Sequence, residues 1–175
     1  MVTQTRELDI QAVIEGLVYD LACDDLTRCW KARARLVEIG KPAVSALVKA
    51  LSSDDQWLRW KAAKALGDIG DPLAAEPLVR ALEDEAVGVR WLAAEGLIYI
   101  GDAALMPLLE ALLGNPNSVW LRQGAHHVIH DIEKSPGMAD ILKPLLDSLE
   151  EMTPSIDVTL EAWNALEQLV GGTGG

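Results

Sequence analysis

The strongest constraint in this sequence is that it repeats. Trp30-Lys31-Ala32, Trp60-Lys61-Ala62 and Trp91-Leu92-Ala93 recur at intervals of 30 and 31 residues. At matched distances follow Ile39-Gly40, Ile69-Gly70 and Ile100-Gly101, then Ala50-Leu51, Ala81-Leu82 and Ala111-Leu112. A fourth copy runs from Trp120 to Ile132 without the glycine, and a more divergent fifth runs from Val158 to Leu169. A fixed period of this size points to a stacked array. Each unit is too small to bury its apolar face alone and must do so against its neighbours.

Within a unit the apolar spacing is helical. Leu58, Ala62, Ala65, Leu66 and Ile69 follow the i, i+3, i+4, i+7 rule for one face. Asp54 and Asp55 precede that run as N-cap candidates, Gly70 ends it at C′, and Pro72 opens the next helix. No stretch alternates as a strand does. The expected fold is all-α: ten helices paired as five antiparallel hairpins in a single domain over residues 1–170. The hairpins fall at about 8–39, 42–69, 72–100, 103–133 and 138–169. Their second helices begin at about 25, 55, 86, 117 and 156. Residues 171–175, Gly-Gly-Thr-Gly-Gly, read as a flexible tail.

The most specific stretch is Leu58-Arg59-Trp60-Lys61-Ala62-Ala63-Lys64-Ala65-Leu66-Gly67-Asp68-Ile69-Gly70-Asp71-Pro72, followed by Glu76-Pro77-Leu78 and, in the next copy, Val89-Arg90. It resembles HEAT repeats, of the HEAT-like class also found in phycobilin lyases. The resemblance implies a right-handed α-solenoid whose second helices line the concave surface and whose first helices line the convex one. It also implies an Asp–Arg ladder, mapped to Asp54 with Arg59 and Asp84 with Arg90. Asn115 and Arg122 take those places in the fourth copy, Cys29 replaces the arginine in the first, and Thr159 does so in the fifth.

Helix geometry then assigns faces. If Leu58, Ala62, Leu66 and Ile69 point inward, Trp57, Trp60, Lys61, Lys64 and Asp68 point the other way. The matching positions hold Thr27, Trp30 and Lys31 in the first unit, Trp91, Glu95 and Tyr99 in the third, and Trp120 and His127 in the fourth. Five of the six tryptophans thus share one predicted surface, while Trp163 maps to a core position. The chain has no Phe at all, so tryptophan is not the ordinary filler of its core. Trp is the residue most enriched at binding hot spots. The expected site is a groove binding a protein or peptide: Trp30, Trp57, Trp60, Trp91 and Trp120 as anchors, Lys61 and Lys64 as charge contacts, and Glu95, Tyr99 and His127 in the far half. A bilin-handling subunit, using the same groove, is the alternative that the resemblance implies.

Charge narrows the partners. The 15 basic and 27 acidic residues leave a net charge of −12, which argues against nucleic acid or an anionic membrane. Residues 1–90 carry 12 basic and 15 acidic side chains, and residues 91–175 carry 3 and 12, so the groove is expected to run from aromatic-basic to acidic. No secretory signal is visible and no apolar run is expected to span a bilayer, so the expected location is the cytoplasm. Self-association is expected to be absent, or a weak homodimer through the terminal repeat around Val158, Leu160 and Trp163. Cys23 and Cys29 lack zinc-site partners and read as reduced structural thiols. His126 and His130, four residues apart, are the sole candidates for metal ligands, but the ligand set is incomplete and His126 aligns with the packing residue Ala63. Neither a cofactor nor a catalytic residue is expected: no nucleophile elbow, phosphate loop or His-Glu metal motif occurs.

Overall fold

In the computed structural model, residues 2–150 and 155–171 are described, with side chains at 9–150 and 156–171. Among these residues the chain forms ten α-helices and no strand. They are α1 (Val2–Leu21), α2 (Leu26–Ile39), α3 (Lys41–Ala50), α4 (Gln56–Ile69), α5 (Ala75–Ala81), α6 (Val87–Ile100), α7 (Leu105–Gly114), α8 (Val119–Ile132), α9 (Ala139–Glu150) and α10 (Ser155–Gly171). The glycine tail beyond Gly171 lies outside the described residues. α1 starts earlier than the repeat register suggests, because no Pro or Gly interrupts residues 2–15. α5 and α7 are shorter than expected, each entered by a 3-10 turn, at Pro72–Ala74 and Gly101–Ala104.

Local chemistry explains the helix ends. The Asp25 carboxylate accepts from the Thr27 and Arg28 amides, and Asp55, rather than Asp54, accepts from Trp57 N at 2.9 Å. Gly70 ends α4 in the left-handed region at φ 65°, as a C′ glycine does. Asp71 caps the turn that Pro72 opens, accepting from Leu73 N.

α1, α3, α5 and α7 form a first layer, and α2, α4, α6 and α8 a second. Between them the core is leucine from both sides, Leu36, Leu66 and Leu97 from the second layer and Leu47, Leu78 and Leu108 from the first. Within the second layer the filling is much smaller. Ala62, Ala63, Ala65, Ala93 and Ala94 are buried, and α4 and α6 touch backbone to backbone. A Cβ on Gly67 would lie 2.9 Å from Gly96 Cα.

A buried arginine locks these two units together. Arg59 Nε and Nη2 donate to the two carboxylate oxygens of Asp84 at 2.7 and 3.0 Å, and Nη1 donates to the carbonyls of Ser53 and Asp54 at 2.9 and 3.2 Å. The burden of desolvation is offset because the guanidinium is fully paired, and Asp84 with Glu85 raises its already high pKa further. The ladder therefore differs from the expected pairing. Arg59 meets the side chain of the next unit's aspartate, and only a backbone oxygen of Asp54. Arg90 Nη1 repeats the backbone half of the pattern on the Asp84 and Glu85 carbonyls. Asn115 gives its amide to Glu83 instead of completing the next rung.

The last hairpin departs from the array. α10 packs on α7 and α9, and α9 on α8, so the second helix of this hairpin lies beside the first layer. Its buried face is Val158, Ala162 and Ala165. Trp163, expected in the core, is instead 51% exposed and borders a shallow apolar cavity of about 390 Å³ with Leu113, Ile156 and Leu160. The core assignment assumed that α10 continues the second layer, and it does not.

The stretch Val87–Gly114 corrects another expectation, being long and apolar enough to cross a membrane by length and composition. Here it is broken at Gly101, where φ is 71°, into α6 and α7. Both halves bury leucines in the core, Leu97 and Leu105 among them.

Two substitutions test this packing by chemical denaturation. Arg59→Ala leaves the Asp84 carboxylate with the Ala86 amide alone and is expected to cost about 2–3 kcal/mol, just below the buried-pair range of about 3–5 because Glu85 is open to water. Trp163→Ala is expected to cost under about 1 kcal/mol, whereas a core tryptophan would cost about 3–5.

Candidate binding surface

The outward faces of α2, α4, α6 and α8 are adjacent, since α2 packs on α4, α4 on α6 and α6 on α8. Trp30, Trp57, Trp60, Trp91 and Trp120 all lie exposed on these faces. Helical periodicity sets the placement: in α4 the residues at 59, 62, 63, 65, 66 and 67 are buried, which turns 57, 60 and 64 outward.

The indoles differ in what they touch. Trp57 is 61% exposed and Trp60 only 36%. Trp60 leans across onto α6, where a Cβ on Gly88 would meet its Cδ1 at 3.0 Å and its Nε1 at 3.2 Å. Gly88 thus leaves the space into which the indole settles. Trp91 stacks on His127 with ring centroids 4.9 Å apart and planes 25° from parallel. The Arg90 guanidinium lies 4.5 Å above the Trp120 ring, a cation–π contact. Each of these contacts joins one second-layer helix to the next.

The charged candidates are engaged within the chain. Lys64 donates to Asp68 at 2.6 Å, and Asp68 also faces Arg33 at 3.6 Å. Glu95 meets His127 Nε2 at 3.0 Å. Lys61 reaches back to unit one, donating to the Cys23 carbonyl at 3.2 Å and to Cys29 Sγ at 3.3 Å. Tyr99 is exposed and completes the outward row of α6. Sequence reasoning missed the Trp91–His127 stack and the Arg90–Trp120 contact. Their signal was available in the register, because His127 and Trp120 occupy outward positions of the neighbouring helix.

His126 and His130 lie with parallel rings 6.1 Å apart, beside Glu150 at 3.4 Å and Glu133 at 3.6 Å respectively. Among the described residues, no three His, Cys, Asp or Glu side chains gather as a group that could hold a metal ion.

Comparison with known proteins agrees with this architecture. A model of HEAT repeats matches residues 13–90, and one of the PBS lyase HEAT-like repeat matches residues 89–114. No curated protein matches the chain. Among solved structures, a chain in the complex of CpcE and CpcF of phycocyanin lyase from Nostoc sp. PCC7120 is similar, with 23% identity and a TM-score of 0.59 over 88% of this chain and 98% of that one. An engineered protein is also similar, with 23% identity and a TM-score of 0.46 over 91% of this chain and 80% of that one. Consecutive repeat models, an all-α array and a similarly folded neighbour agree that the chain carries HEAT repeats over residues 13–114.

Proposed function

We propose that the outward face of α2, α4, α6 and α8 docks a protein or peptide segment and performs no catalysis itself. The observation that carries this reading is the row of exposed indoles at matching register on consecutive helices. Large contiguous apolar surface rarely stays exposed without use, and tryptophan supplies area at low entropic cost. The tight α4–α6 contact supports placing this layer on the inside of the curve, where a groove would form. Trp30, Trp57, Trp91 and Trp120 then act as anchors, with Trp60 partly committed to Gly88. Lys61, Lys64, Glu95 and His127 would exchange internal partners for the ligand's charges, so they orient the ligand more than they hold it. The protein acts as a cytoplasmic scaffold in this reading.

A second reading is a bilin-handling role on the same face. The match of the PBS lyase HEAT-like repeat to residues 89–114 favours it, because that segment holds Trp91, Glu95 and Tyr99. The similar Nostoc chain is part of a complex of two proteins, which makes a partner subunit an occupant to test first.

Trp57→Ala and Trp91→Ala are each expected to weaken a partner captured from the native lysate about fivefold or more by titration calorimetry, or about 1 kcal/mol, with folding stability little changed. Unchanged affinity together with a large stability loss would return these indoles to packing. Mixing the protein with free bilin separates the two readings, since a protein-only dock leaves the bilin absorbance unshifted. Gly88→Ala is expected to push the Trp60 indole off α6 and red-shift tryptophan emission, because the added methyl would meet Cδ1 at 3.0 Å.

A further inference from the structure

Cys29 stands where the ladder has an arginine. Arg59 and Arg90 each reach back to the carbonyl six residues earlier, at Ser53 and Asp84. Cys29 Sγ does the same to the carbonyl of Cys23. The sulfur is too short to reach a neighbouring unit as an arginine would, and the next unit reaches to it instead. Lys61 of α4 donates to both Cys29 Sγ and the Cys23 carbonyl. The corner of unit one is therefore tied to unit two through a sulfur and a carbonyl.

The second thiol of the chain lies at the same place. Cys23 Sγ is 3.6 Å from Cys29 Sγ, in van der Waals contact. A disulfide bond is about 2.05 Å long, so the sulfurs must approach by about 1.5 Å. Cys23 belongs to the turn between α1 and α2, its amide held by a long bond to the Asp20 carbonyl at 3.3 Å, and it is partly exposed. Cys29 is 7% exposed, in the first turn of α2. One sulfur is reachable by a small molecule, and the other lies in contact behind it.

We propose that Cys23 and Cys29 are a closing thiol pair, oxidised by a low-molecular-weight disulfide to an intramolecular bond, and that closure removes the sulfur partner of Lys61. With glutathione disulfide, the Cys23 thiolate attacks one sulfur and expels glutathione thiolate, leaving a mixed disulfide on Cys23. The Cys29 sulfur, after losing its proton, attacks Cys23 Sγ and expels the second glutathione thiolate. The protein loses two protons and two electrons, and these turn one glutathione disulfide into two glutathione thiols. Burial, and then the hydrogen bond with Cys29, push the Cys23 thiol above its ordinary pKa, which slows the first step at neutral pH without blocking the second. In the disulfide, the Cys29 sulfur can no longer ionise and is a poor acceptor. Lys61, beside Trp60 in sequence, then keeps only the Cys23 carbonyl. This assignment stands whatever the tryptophan face binds.

The test uses the folded chain with glutathione disulfide, followed by intact mass, thiol titration and brief amine acylation mapped by peptide mass. The expected result is joint loss of both thiols, a mass lower by two hydrogens without a glutathione adduct, and reversal by dithiothreitol. Lys61 acylation should rise severalfold over the reduced protein while Lys49 stays constant. Cys29→Ser should trap the mixed disulfide on Cys23. If that variant does not fold, the wild-type mass decides alone. A persistent glutathione adduct on the wild type, or survival of both thiols, overturns the pair. Closure with unchanged Lys61 acylation overturns its coupling to Lys61.

Discussion

Burying a guanidinium is unfavourable unless nearly every donor finds an acceptor, and Arg59 is buried at the junction of the second and third units. Its acceptors come from two places: loop carbonyls of its own unit and the side chains of Asp84 and Glu85 in the next. Satisfying both sets at once ties the two hairpins to one another. That tie brings α4 and α6 together at Gly67 and Gly96, where no side chain could be accommodated. Polar satisfaction at one edge of the array thus sets how closely its helices pack.

A layer that thin decides where aromatic residues go. With Ala62, Ala65 and Ala93 filling the space between adjacent second helices, no ring fits inside. The chain has no Phe, and the tryptophans of the second layer stand on outward positions, where Trp60, Trp91 and Trp120 touch the neighbouring helix. Trp60 on Gly88 and Trp91 on His127 each cover a seam with one part of the indole and leave the rest to solvent. Packing and exposure are therefore not alternatives for these side chains. An indole held on one side by its own protein is already ordered, so a partner meeting its free side gives up less rotamer entropy on binding.

The period of the sequence carried the helices and the outward register of Trp57, Trp60 and Trp91, because 3.6-residue geometry ties each outward residue to the buried alanines beside it. It could not carry the pairing of Arg59. Counting back from each arginine makes Ser53 the counterpart of Asp84, a shift of one residue from the motif alignment that chose Asp54. Nor could it place α10. The apolar face of a helix says what must be buried, not which layer buries it, and Trp163 was misjudged for that reason. The thiol pair was hidden for a third reason. Cys23 and Cys29 lie on either side of a corner, and only the folded turn brings them into contact.

The ladder is complete only in the middle, and both of its ends are patched with other chemistry. Towards the N-terminus the arginine is Cys29, and Lys61 reaches back across the gap. Towards the C-terminus the aspartate is Asn115, and the Arg90 guanidinium lies over Trp120. A neutral amide cannot hold a guanidinium in place as a carboxylate does, so Arg90 is free to turn its planar face to an indole. At each of these junctions a charged side chain takes over, Lys61 on the corner of unit one and Arg90 on the Trp120 ring. In a stacked array a junction need only be good enough to pass the stack on. The junctions where the ladder lapses are therefore held by contacts of other kinds, a lysine on a sulfur and a carbonyl at one and a guanidinium on an indole at the other.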